Sequence, residues 1–168
     1  MRFSSAFLLP LAVLQQLALA APLDAPAGNA ELTTYTIEEA KAKGLIPFET
    51  DDTTTKALLV RDNIPGGAHQ GIRFFPSASP SNPTLTRMTI NGVTLIVRAW
   101  YLSVHTMMYQ LQHLEGAPAV NFVTFGLLDA VTGIVQNPSR HDFSTVYSIS
   151  PRSGQIMQVD NPWIPWWN

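Results

Sequence analysis

His105 and Tyr109 stand four residues apart, with Tyr101 four residues before His105 and His113 four residues after Tyr109. On a helix this spacing stacks the side chains into one column. An imidazole beside a phenol, facing a pocket, can bind a small substrate and pass it a proton. On a solvated helix face the same column is ordinary polar surface, and the sequence places no companion carboxylate beside it. A second candidate is the run SRHDFS, where His141 and Asp142 are adjacent. Neighbours on a strand point to opposite faces, so there the two would not work on each other; in a loop they could. Asp142 and Asp129 are the acids available to either histidine, because residues 62–168 hold only five acidic side chains. No Gly-x-Ser-x-Gly nucleophile turn is present, and Gly66-Gly67 lacks the lysine and helix of a phosphate loop.

Metal chemistry is a poor expectation. The chain has no cysteine and four histidines, His69, His105, His113 and His141. A zinc site needs three or four converging ligands. His105 and His113 would lie about 12 Å apart along a helix, too far to share one ion. No metal and no cofactor is expected.

The elements that would position these residues follow from periodicity. Trp100, Val104, Met107, Met108, Leu111 and Leu114 recur at helical spacing, and Gly116 with Pro118 ends the run. This predicts an amphipathic helix over 103–115; one long strand through residue 108 is the competing reading. Before it, Asn91-Gly92 between two β-prone runs predicts a two-residue hairpin, since both turn positions favour positive φ. Its register sets Ile90 opposite Val93, Met88 opposite Leu95 and Thr89 opposite Thr94. Strands are expected at 120–125, 134–136, 142–149 and 155–159, with turns at 129–133 and 150–154. The fold class expected is α+β: an antiparallel sheet of about five to six strands, in hairpins and meander, packed on the one helix.

The chain closes on NPWIPWWN. Pro162 and Pro165 hold its backbone extended, so Trp163, Trp166 and Trp167 do not share a helix. Such a tail can fold back over an open sheet edge, each ring burying a large apolar area. Alternatively it presents flat apolar faces to a sugar, a lipid headgroup or a protein groove. Three exposed indoles would be an aggregation liability, which favours the first use.

The opposite end carries export signals. Met1-Arg2, the apolar run from Phe7 to Leu19 and the small-residue triplet Ala18-Leu19-Ala20 read as a secretory signal peptide cut after Ala20. The run is too short, and too interrupted by Gln15-Gln16, to span a membrane. Residues 21–61 form an acidic leader with seven acidic and four basic residues. Within it Thr36 to Gly44 has the grammar of a short helix: an N-capping threonine, Glu38 and Glu39 in the first turn, Lys41 and Lys43 in the last, and a closing glycine. Arg61 after this stretch is a candidate propeptide cleavage point, and a retained N-terminal arm is the other reading. Residues 62–168 are then the mature domain, expected to be secreted and extracellular.

Those 107 residues carry five acids and five arginines, a net charge of zero. Scattered charge of this kind lacks the basic footprint that nucleic acid demands. The apolar content is ample for a core, which argues against disorder. Without disulfides, stability must come from burial, a ligand or self-association. Three functions fit. The first is a small secreted interaction protein without catalysis, contacting a cell surface, a carbohydrate wall polymer or a host protein, with Trp163, Trp166 and Trp167 as binding residues. The second is a cofactor-independent lyase or isomerase with a pocket beside the 103–115 helix. The third is a self-assembling extracellular structural protein.

Overall fold

The computed structural model describes residues 29–46, 58–59, 67–68, 72–90, 92–113, 120–152 and 154–167. Ala20 and Arg61, with the two expected cleavage points, lie outside the described residues. The strands are β1 (Ala30–Thr36), β2 (Leu58–Leu59), β3 (Gly67–Ala68), β4 (Thr84–Ile90), β5 (Val93–Ser103), β6 (Thr106–His113), β7 (Val123–Asp129), β8 (Val135–His141), β9 (Thr145–Pro151) and β10 (Trp163–Trp167), with one helix, α1 (Ile37–Ala42). They form a six-stranded sheet, β1-β9-β6-β5-β4-β2, and a four-stranded sheet, β3-β10-β7-β8. Every ladder is antiparallel except the two-residue contact of β2 with β4, which is parallel. No helix among the described residues is long and apolar enough to cross a membrane.

The hairpin follows its expected register: Met88 faces Leu95, Thr89 faces Thr94 and Ile90 faces Val93. The threonine hydroxyls meet at 3.1 Å. Gly92 sits at φ 81°, as the tight turn requires.

The helix expected over 103–115 is not there. Residues 93–103 and 106–113 are the strands β5 and β6, joined at Val104-His105 with Ser103 opposite Thr106. The apparent helical period came from overlaying the two faces of one strand pair. Trp100 and Met108 are opposite each other on the outer face, whereas Met107, Tyr109 and Leu111 point between the sheets. Strands buried on both faces lose the simple alternation and read as nearly continuous apolar runs. The connection carries no turn signal in the sequence, since Val104-His105 contains neither glycine nor proline. The Ser103 hydroxyl steadies it instead, accepting from the His105 N–H at 3.1 Å.

Residues 155–159 also depart from the strand expected there. Gln155 to Gln158 are irregular and Val159 opens a turn. β9 already has β1 on one edge and β6 on the other, so no ladder is open to a returning hairpin. The chain instead crosses the end of the molecule, pinned where the Met157 N–H donates to the Val104 carbonyl at 2.8 Å, and enters the second sheet as β10.

The helical grammar in the acidic leader is realised. Thr36 caps α1 by accepting from the Glu39 N–H at 3.1 Å, and Glu39 returns an acceptor to the Thr36 N–H at 2.9 Å. That backbone bond, with the Thr36 hydroxyl, holds the Glu39 carboxyl below its usual pKa.

The core lies in two layers. Between the sheets, Met88, Leu95, Val97, Met107, Tyr109 and Ile149 meet Phe125, Leu127, Trp163 and Trp167. On the far side of the six-stranded sheet a smaller cluster gathers Trp100, Met108 and Val146 under Ala40 and Ile46, with Tyr35, Ile37 and Leu45 at its rim. Thus α1 covers one sheet face while the four-stranded sheet covers the other.

Two prolines find positions a strand can tolerate. Pro165, in β10, faces the gap between the Phe74–Trp163 bridge and the short β3 contact at Trp166-Trp167, where no ladder hydrogen bond is required. Pro138 lies in a bulge of the edge strand β8, where Phe125 faces Ser139 but Leu127 faces Gln136. The bulge backbone lies directly over Gly126. A Cβ there would stand 2.6 Å from the Gln136 carbonyl oxygen and 2.7 Å from the Pro138 nitrogen, so only glycine fits.

Candidate functional site

Inward-facing positions of β6, β9 and β8 build a polar seam at one margin of the sandwich. Tyr109 and Tyr147 are direct cross-strand partners, their rings stacked at 5.2 Å. From the opposing sheet His141, the partner of Val123, comes within 4.1 Å of the Tyr147 ring and 5.7 Å of the Phe125 ring. His141 and Tyr109 are fully buried and Tyr147 nearly so.

The hydrogen bonds fix the protonation states. His141 Nδ1 lies 2.8 Å from the Ser139 carbonyl, an acceptor only, so Nδ1 carries the proton. Nε2 is then free to accept, and the Tyr109 hydroxyl donates to it at 2.6 Å. Burial pulls the His141 pKa down to about 4, against the opposing pull of the Ser139 carbonyl and Asp142. Burial, and then the neighbouring Tyr147, hold Tyr109 well above the usual phenol value. Both groups are therefore neutral over the ordinary pH range. Each satisfies the other, and both are shut off from solvent. The arrangement is an internal clamp between sheets.

Asp142 has its carboxylate bonded within its own turn. Its carboxylate accepts from the Ser144 N–H at 2.9 Å and from the Ser144 hydroxyl at 3.1 Å. Burial alone would raise its pKa, but the Thr145 and Ser144 hydrogen bonds outweigh that and hold it low. Its own N–H donates to the Tyr147 hydroxyl at 2.8 Å. Burial likewise raises the Tyr147 pKa. Asp129 is committed too: its carboxylate accepts from the Val131 and Thr132 N–H groups and from Asn161, closing the β7–β8 turn.

The column of residues 101, 105, 109 and 113 dissolves with the helix. His105 is exposed at the β5–β6 turn, whereas Tyr109 is interior. The pocket beside a helix has no helix to line it. His113 does lie near the seam, edge-on to Phe143 at 5.4 Å.

The three tail tryptophans are interior. Trp163 and Trp167 are fully buried between the sheets, and Trp166, on the other face of β10, is 6% exposed. The Trp163 indole N–H donates to the Tyr101 hydroxyl at 2.8 Å, and that hydroxyl donates to the Gln158 carbonyl at 3.3 Å. Burial pushes the Tyr101 pKa up to about 12, although the Trp163 bond works the other way. The fold-back use of the tail is the observed one.

The accessible part of the seam is a cleft that sequence reasoning missed. The edge strands β1 and β8 approach without joining, and between them opens a cleft of about 510 Å³, within the size range of small-molecule sites. Ala30, Glu31 and Leu32 line one wall; Gln136, Asn137 and Ser139 line the other, with Arg152 beside them. Ser139 belongs to both cleft and clamp, since its carbonyl holds the His141 proton. Gln136 is 4% exposed; its amide N–H donates to the Asn137 carbonyl and, at 3.3 Å, to the Ser139 hydroxyl, while its Oε1 meets no donor among the described residues. Asn29, next to Ala30, accepts from the Val135 N–H at 2.7 Å and donates to Gln155 at 3.1 Å. The available signal was the polar run Gln136 to Arg140 around Pro138, too polar for a fully buried strand and broken by the residue that marks a bulge.

Among the described residues no three His, Asp or Glu side chains gather to hold a metal ion. No family model, curated protein or solved structure matches this chain.

Proposed function

We propose that this chain is a secreted interaction protein that acts by contact, without a chemical step, at a cell surface, a wall polymer or a partner protein. Its contact surface in this reading is the cleft between β1 and β8. One observation carries it: the polar seam of the inter-sheet core shares Ser139 with an open surface cleft lined by Glu31, Asn137, Ser139 and Arg152. The groups fit for proton transfer, His141 and Tyr109, face each other behind it and are shut off from solvent. One carboxylate and one guanidinium leave the lining without net charge, which suits a neutral polar ligand better than an anion. Export rests on the signal features of residues 1–20.

The test has two parts. N-terminal sequencing of protein recovered from culture medium should begin at Ala21 or at Asp62; a chain still starting at Met1 inside the cell removes the export reading. Purified protein is then incubated with insoluble cellulose, chitin, β-glucan and intact cells, and depletion from solution is measured. Arg152→Ala with Asn137→Ala should cut retention at least fivefold with little change in melting temperature, both side chains being exposed. Retention untouched by the double variant would remove the cleft as the contact surface, and no retention on any material would remove the reading.

A further inference from the structure

Residues 29–46 belong by sequence to the acidic leader, yet they are woven into the fold. β1 pairs with β9 in unbroken register over seven positions, from Ala30 opposite Pro151 to Thr36 opposite Thr145. Asn29 adds three bonds: its carbonyl accepts from the Arg152 N–H at 2.8 Å, and its side chain joins Val135 and Gln155. The turn after α1 delivers Leu45, whose carbonyl accepts from the Trp100 indole N–H at 3.2 Å. Ala40 and Ile46 are buried against Trp100, Met108 and Val146, all three fully buried.

We infer that the surface formed by the β9 edge and the outer face of the six-stranded sheet has the chain's own leader as its partner, and that residues 29–46 stay bound there when the chain is cut behind them. Cleavage after Arg61 then yields a two-chain protein, not a shorter single chain. The physical reasons are reciprocal. Without the leader, β9 becomes a bare sheet edge and Trp100, Met108 and Val146 become an apolar patch in water, the two features folded proteins most consistently avoid. Without the sheet, a six-residue helix is too short to hold its own structure. The leader is thus an intramolecular template for the domain. The cleft depends on it as well, because Ala30, Glu31 and Leu32 form one of its walls. This assignment does not rest on the cleft taking a ligand, and it is tested without one.

The experiment inserts a thrombin recognition sequence after Arg61 in the chain that begins at Ala21. The purified protein is cut, then run by size-exclusion chromatography in buffer and in concentrated urea, with mass spectrometry of each peak. Both pieces should co-elute in buffer in a one-to-one ratio and part only in urea. A leader piece eluting apart in buffer overturns the inference, whether or not the remainder stays folded. A second variant, Thr33→Cys with Ser148→Cys, places the only two thiols of this cysteine-free chain on facing positions of β1 and β9. After oxidation and cutting, the pieces should stay linked on a non-reducing gel and separate on reduction. Failure to cross-link would place β1 elsewhere in the secreted protein and equally overturn the inference.

Discussion

The two halves of the inter-sheet core are built on different terms. Beneath β10, Trp163 and Trp167 share one apolar cluster with Phe74, Met88 and Tyr101, and the Trp163 indole N–H donates a hydrogen bond to the Tyr101 hydroxyl. Beneath β8 the same layer holds an imidazole, two phenols and an amide. The difference follows the sheet edges. β10 has β7 on one side and, on the other, β3 and the bridge to Phe74, so its inward side chains are sealed by neighbours. β8 is an edge strand facing another edge strand, and its inward polar side chains are buried, so their cost is offset by hydrogen bonds to one another and to nearby backbone. Aromatic area holds one half together and mutual hydrogen bonding the other. The first should be indifferent to pH and the second should not.

The largest expected effect breaks the apolar half. Trp163→Ala removes a fully buried indole and leaves the Tyr101 hydroxyl oxygen without the N–H it accepts from, and such truncations cost about 3–5 kcal/mol. Denaturant unfolding followed by near-ultraviolet circular dichroism should show that loss at pH 7 and again at pH 5. A loss below 1 kcal/mol (roughly the cost of a surface change) would mean the tail does not hold the sheets together.

The pH effect separates the halves. His141 titrates at about 4 in the fold against 6.5 in the unfolded chain, so the unfolded state binds the proton more readily. Its contribution is fully present above 6.5, drains away as pH falls through the window from 6.5 to 4, and does not change further below it. Across that window the loss amounts to roughly 3 kcal/mol, an order-of-magnitude figure from about 1.4 kcal/mol per pKa step. Melting temperature should fall steeply from pH 6.5 to 4 in the native chain. In His141→Leu the curve should be flatter over the same window, even though the starting stability is lower. Parallel curves would mean another group sets the acid response.

How much of this was legible depended on how local each rule is. Thr36 with Glu39, and Asn91-Gly92 between β-prone runs, are decided within a few residues, and both elements stand where the sequence places them. The β5–β6 pair was hidden because its burial is decided by α1 on one face and the second sheet on the other, neither of which is near in sequence. Val104-His105 makes a turn without the usual turn residues. The His141 clamp failed to show for a related reason: its partner Tyr109 is thirty-two positions away, and the residue that looked like its partner, Asp142, is committed to Ser144. The indole tail was readable as a plug from the cost of exposing it, but not which face each ring takes.

The smallest effect lies at the junction of the two sheets. Asn29 ties the start of β1 to both sheets: its side-chain Oδ1 accepts from the Val135 N–H of β8, while its backbone carbonyl accepts from the Arg152 N–H just after β9. In Asn29→Ala the backbone bond to Arg152 survives, but the Val135 N–H loses its acceptor. Val135 is 1% exposed, so water replaces that acceptor poorly. A buried donor left without a partner costs about 1–3 kcal/mol, and because Asn29 itself is only half-buried the loss should lie near the lower figure. Hydrogen exchange sharpens the reading. The Val135 amide should exchange at least tenfold faster in the variant, while the Ile164 amide of β10 should keep its native rate. Equal acceleration at both positions would mean that the edge and the sealed half open as one unit, and the contrast between them would then be one of composition alone.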